Sequence, residues 1–253
     1  GKPDLASLFY ESPAAEDSRR RFFVTDSTVA SLECMQSFIS KFDDGVCGKD
    51  CLLILGSGEK YKTIEMVLNI VSEAVEAGLT RKDLFVGIGG GVISDITAFA
   101  ASIYKRGAKV QFVPTTLLSM VDAAIGGKNG VNFNENKNFI GSFDNPDFII
   151  ADSSFVHTLP ECYYLSGLGE IIKYALIGNT NILNLLITNS DNIFYRNSGT
   201  IQKLVRESVL TKIKIVEEDP DDKSIRHILN FEHTIGHSIE LLEDIPHGLA
   251  VVK

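Results

Sequence analysis

Short apolar runs alternate with helix-spaced apolar stripes along the first part of the chain. Buried strands are predicted at 22–24, 51–55, 84–88, 110–113 and 148–151. Between them, apolar residues recur at helical spacing over 29–39 and 64–75, and a further helix is predicted from the glycines at 89–91 to about Tyr104. Strands that alternate with helices are typical of a parallel sheet covered on both faces. We therefore predict an α/β, Rossmann-like domain over 1–155.

The pattern changes in the second part of the chain, where strand-like runs cease. Helical apolar spacing is found near 161–177, 200–217 and 228–243, with polar breaks between these segments. We predict an all-α domain over 156–253. The chain ends within the apolar stretch 249–252 without a helix stop signal, so we expect the natural protein to continue beyond Lys253.

Charge and cysteine content narrow the possible partners and the compartment. The formal net charge is −9, which argues against a nucleic acid or an anionic membrane surface as the main partner, because both require a basic face. The four cysteines include no C-x-x-C pair, and no apolar run approaches the roughly 20 residues of a membrane helix. We expect a cytoplasmic protein that acts on a small molecule through a locally basic pocket.

Glycines and polar residues follow three of the predicted strands. The triplet 89–91, followed by Ser94 and Asp95, opens a helix directly after a strand, and 57–62 and Asp26 follow two other strands. Backbone N–H groups at such a helix start can bind a pyrophosphate, and strand ends of an open α/β sheet line one crevice. A glycine triplet alone is equally typical of a tight turn without a ligand. Three converging loops favour the ligand site.

A loop-rich region is predicted over 114–138, where hydroxyls, amides, glycines and two lysines are concentrated. Glycines at 126 and 127 precede Lys128, and Lys137 lies further along the segment. Lysines are suited to phosphate or carboxylate, and glycines allow a backbone to approach a ligand closely. A solvated polar loop is the alternative interpretation of this stretch by itself.

Two histidines and one glutamate have the residue types of a catalytic zinc site. Glu170 lies in one predicted helix and His233 in another, with His247 fourteen positions further on. Three protein ligands with an open fourth position are the usual arrangement of catalytic zinc. Structural histidines without metal are an equally open interpretation from residue types alone.

The order of several motifs resembles that of the 3-dehydroquinate synthase family, within the sugar-phosphate cyclases. These motifs are GGGVI (89–93) with Asp95, PTTLL (114–118), Val121 and Asp122 with GGK (126–128), GLGEIIK (167–173) and LNFEHTIGH (229–237). The resemblance covers roughly 23–253. It implies a Rossmann-like N-terminal domain that binds NAD and a helical C-terminal domain that carries a divalent metal. Ser94 stands where the family usually has glycine.

The resemblance also implies which residues contact each ligand. The metal, zinc or cobalt, falls on Glu170, His233 and His247. NAD contacts fall on Asp26, Ser57, Gly58, Glu59, Lys60, Tyr61, Lys62, Gly90, Gly91, Val92, Ile93, Ser94, Asp95, Thr115, Thr116, Lys128, Lys137, Phe155 and Thr158. Substrate contacts fall on Arg106, Asp122, Lys128, Lys137, Asn138, Lys173, Lys212, Arg226, Asn230 and His237. Catalytic roles are implied for Lys128, Lys173, Asn230 and His237.

The activity implied by the resemblance is the conversion of 3-deoxy-D-arabino-heptulosonate 7-phosphate to 3-dehydroquinate and phosphate in the shikimate pathway. It involves transient oxidation by NAD, elimination of phosphate, re-reduction and aldol ring closure. A homodimer is expected on the same ground. Three alternatives remain: another sugar-phosphate cyclase of the valiolone or deoxy-scyllo-inosose type, a metal-dependent polyol dehydrogenase, and a non-catalytic homologue.

Overall fold

The chain divides into two units that differ from the predicted domains in one segment. A computed structural model describes residues 3–10, 19–43, 45, 47–134, 136–231 and 246–251. Contacts group 1–115 with 127–152 in unit 1, and 116–126 with 153–253 in unit 2. The segment 116–126 thus packs with the helical unit, although we predicted it within the Rossmann-like domain. The sequence did not indicate this grouping, because Asp122 of this segment contacts Tyr174 and Lys212, which lie much later in the chain.

A five-stranded parallel sheet forms the centre of unit 1. Its strands are β1 (Arg21–Asp26), β2 (Cys51–Leu55), β3 (Leu84–Gly89) and β4 (Lys109–Pro114), and the two-residue β7 (Phe148–Ile149) completes the sheet. The strand order is β2-β1-β3-β4-β7, and all neighbours are parallel. Phe23, Val24 and Phe85 are fully buried, as the continuous apolar runs predicted. The predicted α/β class is confirmed.

Helices accompany these strands in chain order. They are α1 (Leu5–Tyr10), α2 (Ser27–Ala30), α3 (Glu33–Asp43), α4 (Ile64–Glu76) and α5 (Gly91–Ile103), with 3₁₀ turns at Glu59–Tyr61 and Tyr104–Arg106. The single helix predicted over 29–39 was wrong, because α2 ends at Ala30. The Ser31 hydroxyl donates to the Thr28 carbonyl oxygen at 2.7 Å, a local bond of the kind that competes with helix continuation.

Helix α5 lies against β3 because Gly89 has no side chain. A Cβ at this position would lie 2.6 Å from the Ile93 Cβ, which is closer than two carbon atoms can approach. The Thr115 amide donates to the Gly89 carbonyl oxygen at 2.9 Å and joins the ends of β4 and β3. The glycine triplet therefore has a packing role at its first position, whatever ligand its later positions contact.

An antiparallel hairpin occupies much of the region that we predicted to be loop-rich. Strands β5 (Lys128–Phe133) and β6 (Asn136–Phe143) pair with each other, and a π-helical turn spans Ser119–Ala123. The prediction was wrong for 128–133 and 136–138, which are strand. Asparagine, glycine and lysine are disfavoured in strands, so the sequence carries little strand signal there. Contacts of Asn129 help to hold the hairpin, since its Nδ2 donates to the Gly127 and Asp144 carbonyl oxygens at 2.9 and 2.8 Å.

Unit 2 is helical in its described residues, as predicted. Its helices are α6 (Glu161–Leu176), α7 (Thr180–Thr188), α8 (Ser190–Phe194), α9 (Ser198–Glu218) and α10 (His247–Val251), with 3₁₀ turns at Ser153–Thr158 and Ile225–Asn230. The predictions near 161–177 and 200–217 correspond to α6 and α9. The predicted helix at 228–243 lies mostly outside the described residues. None of the helices in the described ranges is long and apolar enough to cross a membrane.

Candidate functional site

Polar residues from three segments of unit 1 converge on Lys62, which follows β2. Its Nζ lies 2.5 Å from Asp95 Oδ2 in α5 and 2.5 Å from Asn138 Oδ1 in β6. Asn132 of β5 joins the hairpin to the loop between β2 and α4. Its backbone N–H donates to the Lys62 carbonyl oxygen at 2.9 Å, and its side-chain Nδ2 donates to Glu59 Oε1 at 2.8 Å. The structure thus brings together four predicted ligand contacts from distant parts of the sequence.

Asp26, another predicted NAD contact, caps a helix. Its Oδ1 accepts from the backbone N–H groups of Thr28 and Val29 at 2.8 and 3.0 Å, at the start of α2. Burial raises the pKa of Asp26, although these two hydrogen bonds oppose the shift. Ser57 lies beside this turn, with its Oγ 2.8 Å from Ser27 Oγ. A structural role therefore accounts for the Asp26 carboxylate, and its contact with NAD stays a prediction.

The other predicted contacts in unit 1 lie in turns or at strand ends. Gly58, Lys60 and Tyr61 form or precede the 3₁₀ turn after β2, Gly90 is the N-cap of α5, and Gly91, Val92, Ile93 and Ser94 form its first turn. Lys128 and Lys137 are exposed on β5 and β6, and Arg106 is exposed in the turn after α5. Ser94, where the family usually has glycine, is accommodated because its hydroxyl donates to the Gly90 carbonyl oxygen at 3.3 Å.

Three predicted NAD contacts belong to unit 2. Thr116 Oγ1 accepts from the Ser119 amide at 3.1 Å, and the Thr158 hydroxyl donates to the Phe155 carbonyl oxygen at 2.8 Å. The Phe155 side chain is fully buried. These contacts support local turns, so the cofactor role of the three residues stays a prediction.

Glu170 is a fully buried carboxylate in α6, contacted by two basic side chains. Lys173, one helical turn further on, forms an ion pair with Glu170 Oε2 and is itself only 2% exposed. His247, the first residue of α10, places its Nε2 3.6 Å from Glu170 Oε1. The two oxygens of one carboxylate therefore face an ammonium group and an imidazole. Burying charged groups is costly unless they are paired, which explains why the lysine accompanies the glutamate.

Close backbone contact between α6 and α10 brings His247 to Glu170. A Cβ on Gly169 would lie 2.0 Å from the Gly248 carbonyl oxygen, and a Cβ on Gly248 would lie 1.9 Å from the Ser166 carbonyl oxygen. The Gly248 amide also donates to Ser166 Oγ at 3.0 Å. Each glycine is the direct neighbour of one of the two predicted ligands. Only residues without a side chain allow the helices to approach this closely.

The Glu170–His247 arrangement fits a divalent metal. Two ligand atoms on a tetrahedral zinc ion lie about 3.4 Å apart, given metal–ligand bonds of about 2.1 Å, and the observed O···N separation is 3.6 Å. Carboxylate oxygen and imidazole nitrogen are both normal zinc ligands. The third predicted ligand, His233, lies outside the described residues, as does His237. Within the described ranges no group of three His, Cys, Asp or Glu residues is positioned to hold a metal.

A second buried polar cluster in unit 2 is centred on Asp122. Lys212 Nζ, from α9, donates to Asp122 Oδ1 and to its carbonyl oxygen, at 2.6 and 2.7 Å. The Tyr174 hydroxyl donates to Asp122 Oδ1 at 2.8 Å. Burial disfavours the charged carboxylate, yet the Lys212 and Lys173 ammonium groups outweigh this effect and hold the pKa of Asp122 well below its usual range. The carboxylate is therefore ionised at neutral pH.

Arg226 is buried at the start of the last 3₁₀ turn. Its Nη2 donates to the Gly126 carbonyl oxygen and its Nη1 to that of Pro220, at 2.7 and 3.1 Å. The preceding loop is organised by Asp219, whose carboxylate accepts from the amides of Lys223, Ser224 and Arg226 at 3.0, 2.6 and 3.1 Å. These backbone hydrogen bonds, with that of Lys223 first, lower the pKa of Asp219 to about 2. Asn230, at the end of the same turn, is exposed.

Sequence reasoning missed several residues of these clusters. Tyr174 lies four positions after Glu170 and so shares a helix face with Glu170, a spacing that could have indicated it. Asp219 immediately precedes a proline at the end of a helix, which is a recognisable turn position. No local pattern indicated Asn132, because its partners are distant in sequence.

Two family models match consecutive parts of the chain. The model of the 3-dehydroquinate synthase N-terminal domain matches residues 52–166, and that of the 3-dehydroquinate synthase C-terminal domain matches 167–253. Curated relatives agree with both. The 3-dehydroquinate synthase of Pyrococcus abyssi is 47% identical over 203 residues, and that of Thermococcus kodakarensis is 43% identical over 231 residues. The match covers 79% and 90% of this chain but 59% and 63% of the relatives, so the chain spans about three fifths of their length.

Solved structures with the same architecture include other sugar-phosphate cyclases. The 2-epi-5-epi-valiolone synthase of Streptomyces hygroscopicus, solved with NAD⁺ and Zn²⁺, has a TM-score of 0.83 and 30% identity, over 95% of this chain and 68% of that one. A 2-deoxy-scyllo-inosose synthase complexed with carbaglucose-6-phosphate, NAD⁺ and Co²⁺ has a TM-score of 0.84 and 27% identity, over 99% and 69%. Both domain models match in order and curated synthases are more than 40% identical. The chain therefore belongs to the 3-dehydroquinate synthase family.

Proposed function

We propose that the natural protein is a 3-dehydroquinate synthase, a carbon–oxygen lyase that converts 3-deoxy-D-arabino-heptulosonate 7-phosphate to 3-dehydroquinate and phosphate. The observation that carries the proposal is the pairing of Glu170 with His247 at 3.6 Å. Glycines beside these two residues allow their helices to approach closely. Curated synthases at 47% and 43% identity support the same activity.

NAD and a divalent metal, zinc or cobalt, are the cofactors we propose. They are named in the structures of two similar cyclases, one with Zn²⁺ and one with Co²⁺. Glu170, His247 and the predicted third ligand His233 would hold the metal, and Lys62 and Asp95 with the start of α5 would hold NAD. When bound, NAD supplies reversible oxidation of a ring hydroxyl and the metal polarises that oxygen.

Positive charge in the chain would bind the two anionic groups of the substrate. The protein as a whole carries a net charge of −9, so a phosphorylated keto acid requires local cations. Lys212 and Arg226 are buried cations in unit 2, each fixed by carbonyl oxygens. Fixed cations bind an anion without a large loss of side-chain entropy, which favours recognition of phosphate or carboxylate.

Several residue roles extend the proposal beyond these clusters. Arg106, Asp122, Lys128, Lys137, Asn138, Lys173, Asn230 and His237 are the remaining proposed substrate contacts. Lys128, Lys173, Asn230 and His237 are the ones proposed to act on the reacting atoms, with His237 as a candidate for proton transfer. The expected homodimer and cytoplasmic location stay predictions. Light scattering of the purified protein would test the first.

Phosphate release provides the direct test of the proposed reaction. The natural protein, supplied with NAD and Zn²⁺ or Co²⁺, is expected to release phosphate from 3-deoxy-D-arabino-heptulosonate 7-phosphate without net accumulation of NADH. Removal of the metal by a chelator should abolish the reaction, and addition of the metal should restore it. Release from this compound at no higher rate than in a protein-free control would contradict the proposal.

A second candidate is another sugar-phosphate cyclase, favoured by the TM-scores of 0.83 and 0.84 with the valiolone and deoxy-scyllo-inosose enzymes. A parallel assay with sedoheptulose 7-phosphate as substrate distinguishes the two candidate activities. Turnover of sedoheptulose 7-phosphate alone would move the assignment to this candidate. Steady NADH formation from a simple polyol would instead indicate a dehydrogenase.

A further inference from the structure

The π-helical turn Ser119–Ala123 is bound by side chains from two other helices of unit 2. Within the turn, the Ala124 amide donates to the Ser119 carbonyl oxygen at 3.1 Å, the wide spacing of a π turn. Lys212 Nζ binds the Asp122 carbonyl oxygen at 2.7 Å, and the Tyr174 hydroxyl lies 3.0 Å from the Val121 carbonyl oxygen. Lys212 thus binds one carbonyl group of an unusual turn, and the Tyr174 hydroxyl, whose single proton has its shorter contact with Asp122 Oδ1, lies beside the neighbouring one. Such turns are frequent at functional sites, because they present side chains in directions that an α-helix does not.

The same two side chains also bind the carboxylate of Asp122 on one of its oxygens. Tyr174 Oη lies 2.8 Å from Asp122 Oδ1, and Lys212 Nζ lies 2.6 Å from the same atom. Among the residues that the structure describes, each hydrogen bond to this carboxylate ends on Oδ1. The Asp122 side chain is 25% exposed, whereas Tyr174 is fully buried. The Oδ1 atom is therefore the anchored oxygen, and Oδ2 is the oxygen left for a ligand.

An ionised carboxylate only accepts hydrogen bonds, so Oδ2 is suited to a hydroxyl group. A sugar phosphate presents several hydroxyls, and their alignment requires an acceptor in a fixed orientation. Asp122 alone could rotate about its terminal torsion, because that torsion has a broad energy profile. Two donors on one oxygen, one from α6 and one from α9, prevent this rotation.

We propose that Tyr174 is a positioning residue which, with Lys212, holds Asp122 by Oδ1 and so presents Oδ2 as the hydrogen-bond acceptor for a hydroxyl of the sugar-phosphate substrate. The inference rests on the proposed function and adds to it a residue that does not itself contact substrate. Tyr174 acts through Asp122, and its loss changes catalysis only while the Asp122 carboxylate is present.

Tyr164 provides a matched control in the same helix. Its hydroxyl is also buried and donates to a backbone carbonyl oxygen, that of Ile193, at 2.7 Å. Tyr164→Phe and Tyr174→Phe each remove one buried hydroxyl from α6. Only the second removes a donor from a carboxylate, so a purely structural role predicts equal behaviour of the two variants.

The experiment measures phosphate release by the natural protein, Tyr174→Phe, Tyr164→Phe, Asp122→Ala and the double variant Asp122→Ala/Tyr174→Phe. Rates are taken per mole of folded protein, counted by near-ultraviolet circular dichroism, with whichever of the two seven-carbon phosphates the unmodified protein uses. We expect Tyr174→Phe to lower kcat/KM about tenfold, the size expected for loss of one hydrogen bond to a charged group. Tyr164→Phe should stay within about twofold of the unmodified protein.

The double variant separates positioning from structure. In the Asp122→Ala background, Tyr174→Phe should lower kcat/KM less than about twofold, because the carboxylate that it orients is gone. A tenfold loss that persists in this background would overturn the inference, and so would equal kinetic constants for Tyr174→Phe and Tyr164→Phe in an active protein. Either result would leave the proposed function unaffected. Failure of the unmodified protein to release phosphate from either sugar would refute the proposed function together with the inference.

Discussion

The two units bring their functional groups together in different ways. In unit 1, Lys62, Asp95 and Asn138 come from a loop, a helix start and a hairpin that lie near the carboxyl ends of parallel strands. In unit 2, Glu170 and Lys173 share one helix, and His247 reaches them through backbone contact between α6 and α10. Unit 1 therefore uses its sheet topology, whereas unit 2 uses helix packing.

This difference affects how much each cluster costs to disrupt. Asp95 in unit 1 is 14% exposed, so water can replace a lost partner, whereas Glu170 in unit 2 is fully buried. Loss of one partner in a buried ion pair leaves an uncompensated charge in a medium of low polarity. The comparison leads us to expect the largest stability effects in unit 2.

Lys173→Met should have the largest effect on stability. It leaves the Glu170 carboxylate buried without its ammonium partner, and we expect a loss of about 3–5 kcal/mol in the free energy of unfolding. Urea denaturation of chelator-treated protein measures this loss. The double variant Glu170→Leu/Lys173→Met should recover most of it, because both charges are then removed. A single variant within about 1 kcal/mol of the unmodified protein would contradict the comparison.

Gly169→Ala should have the next largest effect. The new Cβ would lie 2.0 Å from the Gly248 carbonyl oxygen, so α10 must move, at a cost of about 3 kcal/mol. Because His247 moves with α10, binding of Zn²⁺ or Co²⁺, measured by calorimetry, should weaken as well. Gly199→Ala is the control, since its Cβ would meet only Asn197 Oδ1, at 3.5 Å, among the residues described. Unchanged metal affinity in Gly169→Ala would show that helix contact does not position His247.

Lys62→Met tests the unit 1 cluster and should cost less. It removes one partner of Asp95, which is partly hydrated, so we expect a loss of about 1–2 kcal/mol in the free energy of unfolding. The affinity for NAD, measured by fluorescence titration, should also fall because Asp95 and Asn138 lose their common donor. Lys82→Met, on an exposed lysine of unit 1 that is not a predicted NAD contact, should change neither quantity strongly. A stability loss equal to that of Lys173→Met would remove the proposed difference between the units.

The smallest expected effect concerns the pH dependence of stability in unit 2. The pKa of Asp219 falls from 3.8 to about 2 on folding, so its carboxylate stabilises the folded state above pH 4 and loses this contribution as pH falls towards 2. Asp219→Asn should therefore flatten the decrease in unfolding free energy between these pH values. Parallel curves for the two proteins would show that the three amide hydrogen bonds do not favour the ionised form.

The strands of the parallel sheet in unit 1 were predictable because each carries a continuous apolar run, and the runs of β1 and β3 are buried almost throughout. The predicted metal ligands Glu170 and His247 could be named only through a resemblance in motif order, since residue types alone left a structural role open. The hairpin at 128–143 could not be predicted, because Asn129 and the glycines of β5 and β6 give no strand pattern. The role of Tyr174 was also hidden, although its spacing from Glu170 placed it on the same helix face.

Local composition alone determined the alternation of strands and helices, the change to an all-helical second part and the order of the family motifs. The first two features follow from side-chain periodicity, which each segment carries by itself, and the motif order was recognised by its resemblance to a family. Tertiary structure alone decided that 116–126 packs with the helical unit, that Asp122 is held by Lys212 and Tyr174, and that α10 brings His247 to Glu170. Such contacts depend on which surfaces fit together in the folded chain, and no local sequence pattern indicates which distant residues will meet.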